Sequence, residues 1–186
     1  MKKVLIIVDP QNDFITGSLA VPGAEDKMID LFNYLEENPK LFDKIYVTMD
    51  SHPVDHCSFV ENEGIWPKHC VTDTLGWDIP NYLDEVLWNF ETHFYRKGTD
   101  PNKEEYSIFE NEEDGASLKI DLEEDLKEST EVYICGIAGD YCVLETLKGL
   151  VRFSDNITVL NDYTASIDGG VKLRNWIEKQ NIVEII

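Results

Sequence analysis

The sequence is short of basic residues, and this shortage excludes two classes of partner. Only 16 Lys and Arg oppose 37 Asp and Glu, which gives a formal net charge of −21 at pH 7. The field of such a protein repels the phosphate backbone of nucleic acids and the surface of anionic membranes. We therefore expect neither nucleic acid nor a membrane as a partner.

Paired cysteines and long apolar runs are also lacking. The four cysteines, Cys57, Cys70, Cys135 and Cys142, form no C-x-x-C motif. The apolar run that begins the chain stops at Asp9, which makes it too short for a signal peptide or a membrane span. We therefore expect a cytoplasmic protein with reduced thiols.

Short aliphatic runs alternate with helical patterns along the 186 residues, and this alternation predicts the fold class. Strands are predicted at residues 3–8, 44–50, 91–98, 131–137, 156–162 and 182–186. Helices are predicted at residues 24–37, 120–127, 140–153 and 170–179. We expect one domain over residues 1–186, an α/β protein built as a three-layer α/β/α sandwich around a mostly parallel sheet of about six strands.

Chemically active residues stand at the ends of four predicted strands. Asp9, Asp50 and Lys97 each end one strand, and the segment 136–142 with Cys142 follows another. The carboxyl ends of parallel strands share one edge of the sheet, where open α/β sheets bind their ligands. The sequence therefore predicts that these residues converge.

Cys142 is predicted in the first turn of a helix, where unpaired N–H groups and the helix dipole lower the pKa of a thiol. The same turn offers N–H donors for an oxyanion. Asp9 would accept the thiol proton, and Lys97 would keep Asp9 ionised. The alternatives are that Cys142 only packs in the core, that Asp9 is a turn residue and that Lys97 is solvated.

Three of the four histidines, His52, His56 and His69, lie within one short segment, and Asp50 stands two residues before His52. In extended chain, residues i and i+2 point to the same side. A carboxylate with two or three imidazoles suits Zn²⁺, Fe²⁺ or Mn²⁺. Two alternatives stay open, namely polar loop residues bonded to backbone and a structural zinc site that uses Cys57 or Cys70.

His93 lies inside a strand pattern, and we expect it to be a core or edge histidine. The segments 50–82 and 98–117 are predicted to be long loops, and long ordered loops in compact domains are usually functional.

Six segments carry a resemblance to a known family. They are DPQNDF (9–14), DSHPVDHCSF (50–59), WPKHC (66–70), RKG (96–98), YSIF (106–109) and GIAGDYCV (136–143). In this order, over roughly residues 4–165, they resemble the isochorismatase-like cysteine hydrolases. The Asp-x-His pair with WPKHC is similar to the nicotinamidases within that superfamily. The resemblance implies hydrolysis of nicotinamide to nicotinate and ammonia through a cysteine thioester in NAD salvage, with pyrazinamide as a further substrate.

The resemblance also implies roles for individual residues. The catalytic triad would be Cys142, Asp9 and Lys97, and the oxyanion hole would be the N–H groups of Ala138 and Cys142. One divalent metal ion, with zinc expected ahead of iron or manganese, would be bound by Asp50, His52 and His69, and His56 is a candidate extra ligand. The peptide bond between Ile137 and Ala138 would be cis. The expected substrate pocket consists of Phe14, Leu19, Trp66, Tyr106, Ile137 and Tyr141.

The sequence departs from the family pattern in three places. LETLKGL follows the Cys142 segment, VTDTLGW follows WPKHC, and the similarity is poor after Ala165. These departures concern substrate preference and subunit packing. The oligomeric state is left open, and a homo-oligomer is compatible with the sequence.

Other functions remain as alternatives. One is a related cysteine hydrolase that acts on a ureido or carbamoyl amide, which would not need the metal residues. Another is a non-catalytic metal-binding or interaction protein on the same fold. A flavodoxin-like nucleotide binder fits less well, because no phosphate-cradling glycine loop follows the first strand.

Overall fold

A computed structural model describes residues 1–180 and 183–186, and a six-stranded sheet lies at its centre. The strands are β1 (Lys2–Val8), β2 (Lys44–Asp50), β3 (Thr92–Lys97), β4 (Thr130–Ile137), β5 (Ile157–Ala165) and β6 (Val183–Ile185). Their order across the sheet is β3-β2-β1-β4-β5-β6, and every neighbouring pair is parallel. The predicted fold class, with a parallel sheet of about six strands, is therefore confirmed.

Helices cover both faces of this sheet. They are α1 (Asn12–Ile15), α2 (Ala24–Glu37), α3 (Asn81–Leu87), α4 (Asp114–Asp125), α5 (Leu144–Leu150) and α6 (Val171–Ile177). Side chains of α2 and α3 share one hydrophobic core with the sheet, and side chains of α4, α5 and α6 share the other. The three-layer arrangement is confirmed.

The first strand shows why an uninterrupted aliphatic run belongs in the middle of such a sheet. Successive side chains of a strand point to opposite faces. Leu5 and Ile7 accordingly enter the core beneath α2, whereas Val4, Ile6 and Val8 enter the core on the other face. A strand with helices on both sides has no solvent-facing position, so it has no polar alternation.

Some predicted helix boundaries were wrong. The helix α4 begins at Asp114 rather than at Ile120, because the side-chain oxygen of Asn111 accepts hydrogen bonds from the N–H groups of Glu113 and Asp114 at 3.0 and 2.9 Å. This polar start has no apolar periodicity to reveal it. The short helices α1 and α3 were not predicted.

The predicted helix 140–153 is observed as a π-helical turn at Gly139–Val143 that continues into α5. The sixth predicted strand is observed as β6, and its first residue, Ile182, lies outside the described residues. His93 lies on β3, an edge strand, as expected. In the described part of the chain, no helix has the length and apolar character needed to cross a membrane.

Candidate active site

Three charged side chains meet at the carboxyl edge of the sheet. Asp9 follows β1, Asp50 ends β2 and Lys97 ends β3, where it pairs in register with Asp50. Their exposed fractions are only 0%, 4% and 0%. Buried charges persist only when they are paired or hydrogen-bonded, so the contacts among these three groups decide the chemistry of the edge.

Lys97 is the centre of this cluster. Its Nζ lies 2.8 Å from Asp9 Oδ2, forms an ion pair with Asp50 Oδ1 and lies 3.6 Å from Cys142 Sγ. Burial disfavours the charged ammonium, but Asp50 and Asp9 outweigh burial and raise the pKa of Lys97 well above its usual range. Asp9 was the expected partner of Lys97, whereas the second ion pair, with Asp50, was not predicted.

The two carboxylates have opposite pKa shifts. Burial raises the pKa of Asp9, even though Lys97 and a 2.7 Å hydrogen bond from Thr48 act against it. Burial also acts to raise the pKa of Asp50, but Lys97, His52 and His69 outweigh it and hold that pKa far below its usual range. Two carboxyl groups with divergent pKa values are suited to different roles. Asp9 is suited to exchange a proton, and Asp50 is suited to remain an anion.

The thiol of Cys142 lies on the π-helical turn after β4. The N–H groups of Tyr141 and Val143 both donate to the carbonyl oxygen of Ala138 at 3.0 Å, which folds the turn back over the strand end. The Ile137–Ala138 peptide bond is cis, as the resemblance implies. Ala138 and Cys142 both line the cavity described below.

The lowered thiol pKa that we expected from the helix terminus is contradicted. Burial raises the pKa of Cys142 well above its usual value, and Lys97 offsets this only in part. Cys142 is 6% exposed, and the carboxylates of Asp9 and Asp50 add to the effect of burial on this pKa. A protonated thiol needs a base, and carboxylate oxygens of Asp9 and Asp50 lie within 4.8 Å of its Sγ.

The structure also brings Asp50, His52 and His69 together. One potential ligand atom from each lies within 4.8 Å of the others. His52 Nδ1 is held by the carbonyl oxygen of Gly98 at 2.9 Å, and His69 Nδ1 is held by that of Pro67 at 2.8 Å. Both imidazoles therefore carry the proton on Nδ1 and present the Nε2 lone pair inward, as metal-binding histidines do.

Two other candidate ligands do not join this cluster. Both ring nitrogens of His56 are already bonded, Nδ1 to Ser58 Oγ at 2.8 Å and Nε2 to Lys103 O at 3.0 Å. The structure therefore does not support His56 as an extra ligand. Within residues 1–180 and 183–186, the potential metal clusters include neither Cys57 nor Cys70, and a structural zinc site on those thiols has no geometric basis.

A small cavity opens above the thiol. Five of the expected pocket residues line it, namely Phe14, Leu19, Trp66, Tyr106 and Tyr141. The expectation for Ile137 was wrong, because its fully buried side chain packs into the core beside β1 instead. Asp50, His69 and Cys142 also lie in the cavity wall, so the thiol and the donor cluster face one space.

Three lining residues were not predicted, namely Val21, Glu104 and Ile167. Glu104 lies in the long segment 98–117, so loop length was a usable signal for it. Ile167 lies in the C-terminal part, where the resemblance is poor, and nothing in the sequence marked it.

Aromatic side chains form one wall of the cavity. Trp66 Nε1 donates a 3.1 Å hydrogen bond to the hydroxyl of Tyr106. The ring of Tyr141 lies 5.1 Å from that of Trp66 and 5.5 Å from that of Tyr106, measured between centroids. Such a wall suits a flat aromatic ring, which would lie directly beside the thiol.

Comparisons with known proteins identify a matching family, a curated relative and similar solved structures. The isochorismatase domain family matches residues 3–172. The nicotinamidase/pyrazinamidase of Mycobacterium tuberculosis is 38% identical over 89% of this chain and 87% of its own length. The structure of PnC1 from L. infantum in complex with nicotinate is similar with a TM-score of 0.83 and 30% identity, covering 100% of this chain and 92% of that one. Pyrazinamidase of Pyrococcus horikoshii in complex with zinc gives a TM-score of 0.78 and 29% identity, covering 100% and 99%.

Proposed function

This chain belongs to the isochorismatase domain family, and from that premise we propose that it is a nicotinamidase, which hydrolyses nicotinamide to nicotinate and ammonia. The observation that carries the proposal is a single cavity in which Cys142, an aromatic wall and a metal-donor cluster face one another. The enzyme is a hydrolase of a linear carboxamide C–N bond that serves NAD salvage. It accepts pyrazinamide, which also carries its carboxamide group on an aromatic ring.

The first half of the reaction forms a thioester. Asp9 accepts the proton of Cys142, and the sulfur forms a bond to the carboxamide carbon. The N–H groups of Ala138 and Cys142 stabilise the resulting oxyanion. Asp9 then gives the proton to the leaving nitrogen, the C–N bond breaks, and ammonia departs.

The second half hydrolyses the thioester. A water molecule loses a proton to Asp9 and attacks the same carbon, the C–S bond breaks, and Cys142 recovers its proton from Asp9. Nicotinate leaves. Lys97 stays charged throughout and offsets the negative charge that the two carboxylates would otherwise place beside the thiolate.

The residues present fit a divalent metal ion, and we propose zinc as its identity. Asp50, His52 and His69 would hold it, because they offer one carboxylate oxygen and two inward-facing Nε2 lone pairs. When bound, the ion would act as a Lewis acid towards a lone pair of the substrate. The relative from P. horikoshii, solved with zinc, supports this proposal.

We also propose that residues 1–186 form one hydrolase domain and that the protein is cytoplasmic. One sheet supports both hydrophobic cores, which favours a single domain. The four cysteines carry free thiols, as is usual for cytoplasmic proteins.

Ammonia release from nicotinamide tests the function. We expect the zinc-loaded protein to release ammonia. Cys142→Ala should lower kcat by several orders of magnitude, because the other members of a cooperating triad contribute little once one is removed. Cys57→Ala is the matched control, since Cys57 lies outside the cavity lining, and it should keep wild-type kcat.

Two results would overturn the assignment. Substantial activity in Cys142→Ala would remove the thiol from the chemistry. No release by the metal-loaded wild type would exclude nicotinamide as substrate, and ureido and carbamoyl amides would then be assayed on the same preparation.

A further inference from the structure

The loop between β5 and α6, residues 166–170, forms part of the cavity wall. We call it the mouth loop. Ile167 in this loop lines the cavity and is still 43% exposed, whereas the lining residues Phe14 and Val21 are only 5% and 4% exposed. A side chain that both lines a cavity and meets solvent lies at its entrance. Ile167 therefore lies at the entrance of the cavity.

Asp140 holds the mouth loop. This residue is 3% exposed and stands two positions before Cys142. Its Oδ1 accepts a 2.9 Å hydrogen bond from the N–H of Ile167, and its Oδ2 accepts a 3.2 Å bond from the N–H of Asp168. Both carboxylate oxygens of one buried side chain are thus committed to the backbone of the mouth loop.

Two further contacts fasten the loop to the turn that carries the thiol. A Cβ atom on Gly139 would lie only 2.1 Å from Ser166 Oγ, so the loop packs against the bare backbone of that turn. The Asp168 carboxylate accepts bonds from the N–H groups of Gly170 and Lys172 at 2.8 Å and so begins α6. Lys172 Nζ in turn lies 4.8 Å from the ring centre of Tyr141, another lining residue.

We propose that Ile167 is a specificity-determining residue that limits the size of the substrate ring, and that Asp140 is the positioning residue that keeps it at the entrance. The inference rests on the proposed function. With the carboxamide carbon at Cys142 and the ring nitrogen towards His69, ring position 5 of nicotinamide points away from both, since it is meta to each. That position faces the entrance and Ile167.

The test is the ratio of kcat/KM for 5-methylnicotinamide to kcat/KM for nicotinamide. Ile167→Ala should raise this ratio about tenfold or more, since one methylene in an apolar pocket changes kcat/KM by that order. Ile167→Phe should lower the ratio. Val171→Ala, at a 51% exposed aliphatic residue just beyond the mouth loop, is the matched control and should leave the ratio unchanged.

Asp140→Asn tests the positioning role, because it keeps the side-chain volume but replaces one of the two acceptor oxygens with a donor. It should raise the same ratio. In the double variant with Ile167→Ala, Asp140→Asn should raise the ratio little further, since the two changes act through one loop. An Asp140→Asn variant that lowers kcat/KM equally for both substrates would show a structural role only and would overturn this half of the proposal.

Failure of the inference and failure of the function give different results. If wild-type protein hydrolyses nicotinamide but the ratio stays within about twofold of wild type in both Ile167 variants, Ile167 does not limit ring size. If wild-type protein hydrolyses neither amide, the proposed function fails. Calorimetric Kd values for nicotinate and 5-methylnicotinate on wild type and Ile167→Ala then still test the role of Ile167, and an unchanged Kd ratio would overturn it.

Discussion

His52 is the residue whose surroundings point most directly to a missing partner. Its Nδ1 is bonded to Gly98, and among the residues that the structure describes its buried Nε2 has no hydrogen-bond partner. Leaving a buried polar group unpaired costs about 1–3 kcal/mol. Gly98 is at φ +66°, and a Cβ there would lie 2.4 Å from the His52 ring, so the local backbone is shaped to hold this imidazole. A metal ion would satisfy the free nitrogen.

Metal content is therefore the residue-scale prediction. His52→Ala should lose bound metal, because one of three donors is removed, whereas His56→Ala should retain most of it, since both nitrogens of His56 are already bonded. His93→Ala, on the edge strand, is the control. The measurement is metal stoichiometry by mass spectrometry after dialysis, without any activity assay. Full metal content in His52→Ala would mean that the ligands must be reassigned.

At the scale of elements, a short 3₁₀ turn at Ile108–Glu110 sets one side of the cavity. Ser107 Oγ accepts a 3.2 Å bond from the N–H of Phe109, and Glu110 Oε2 accepts bonds from the N–H groups of Tyr106 and Ser107 at 3.0 and 3.2 Å. This capping box fixes the backbone of Tyr106. Tyr106 in turn receives the hydrogen bond from Trp66, so the turn supports the aromatic wall.

Ser107→Ala should lower the free energy of unfolding by about 1 kcal/mol, as the loss of a cap does. It should also raise the KM for nicotinamide more than it lowers kcat, because the wall loosens while the thiol stays in place. Urea unfolding and steady-state kinetics measure the two effects. Ser117→Ala removes an exposed hydroxyl on α4 and serves as the control. If Ser107→Ala and Ser117→Ala changed KM equally, the link between this turn and the aromatic wall would be contradicted.

At the scale of the whole molecule, Asp125 joins three elements at the edge of the sheet opposite the cavity. Its carboxylate, 2% exposed, accepts hydrogen bonds from Lys2 on β1, from Lys44 on β2 at 3.2 Å and from the hydroxyl of Tyr46. Burial acts to raise the pKa of Asp125, but these hydrogen bonds outweigh it and lower the pKa below its usual value of 3.8.

A carboxyl group whose pKa is lowered on folding stabilises the protein above its unfolded-state pKa, and this contribution is lost as pH falls through the folded-state value. Asp125→Asn should therefore be less stable than wild type by about 2 kcal/mol near neutral pH, and the difference should shrink below about pH 4. Urea unfolding of both proteins from about pH 7 to about pH 3 measures it. A difference that is constant over this range would exclude a charge-dependent role.

Much of the site could be predicted because strand ends in a parallel sheet share one edge. The aliphatic run before Asp9 predicts a buried strand, and the same argument for Asp50, Lys97 and Cys142 predicts that they meet. No side-chain packing is needed for that conclusion. The helix start at Asp114 escaped prediction because a polar cap, and not apolar periodicity, defines it.

By itself, then, the sequence determined the sheet, the shared edge and the residue types at that edge, because periodicity and strand ends are local properties of the chain. The tertiary structure decided what depends on burial and on distant neighbours. Burial raised the pKa of Cys142, and Lys97 gained a second carboxylate partner in Asp50. Both ring nitrogens of His56 were engaged in hydrogen bonds. The tertiary structure also brought Asp140 within hydrogen-bonding distance of the backbone of Ile167, a contact between residues far apart in the chain that only packing creates.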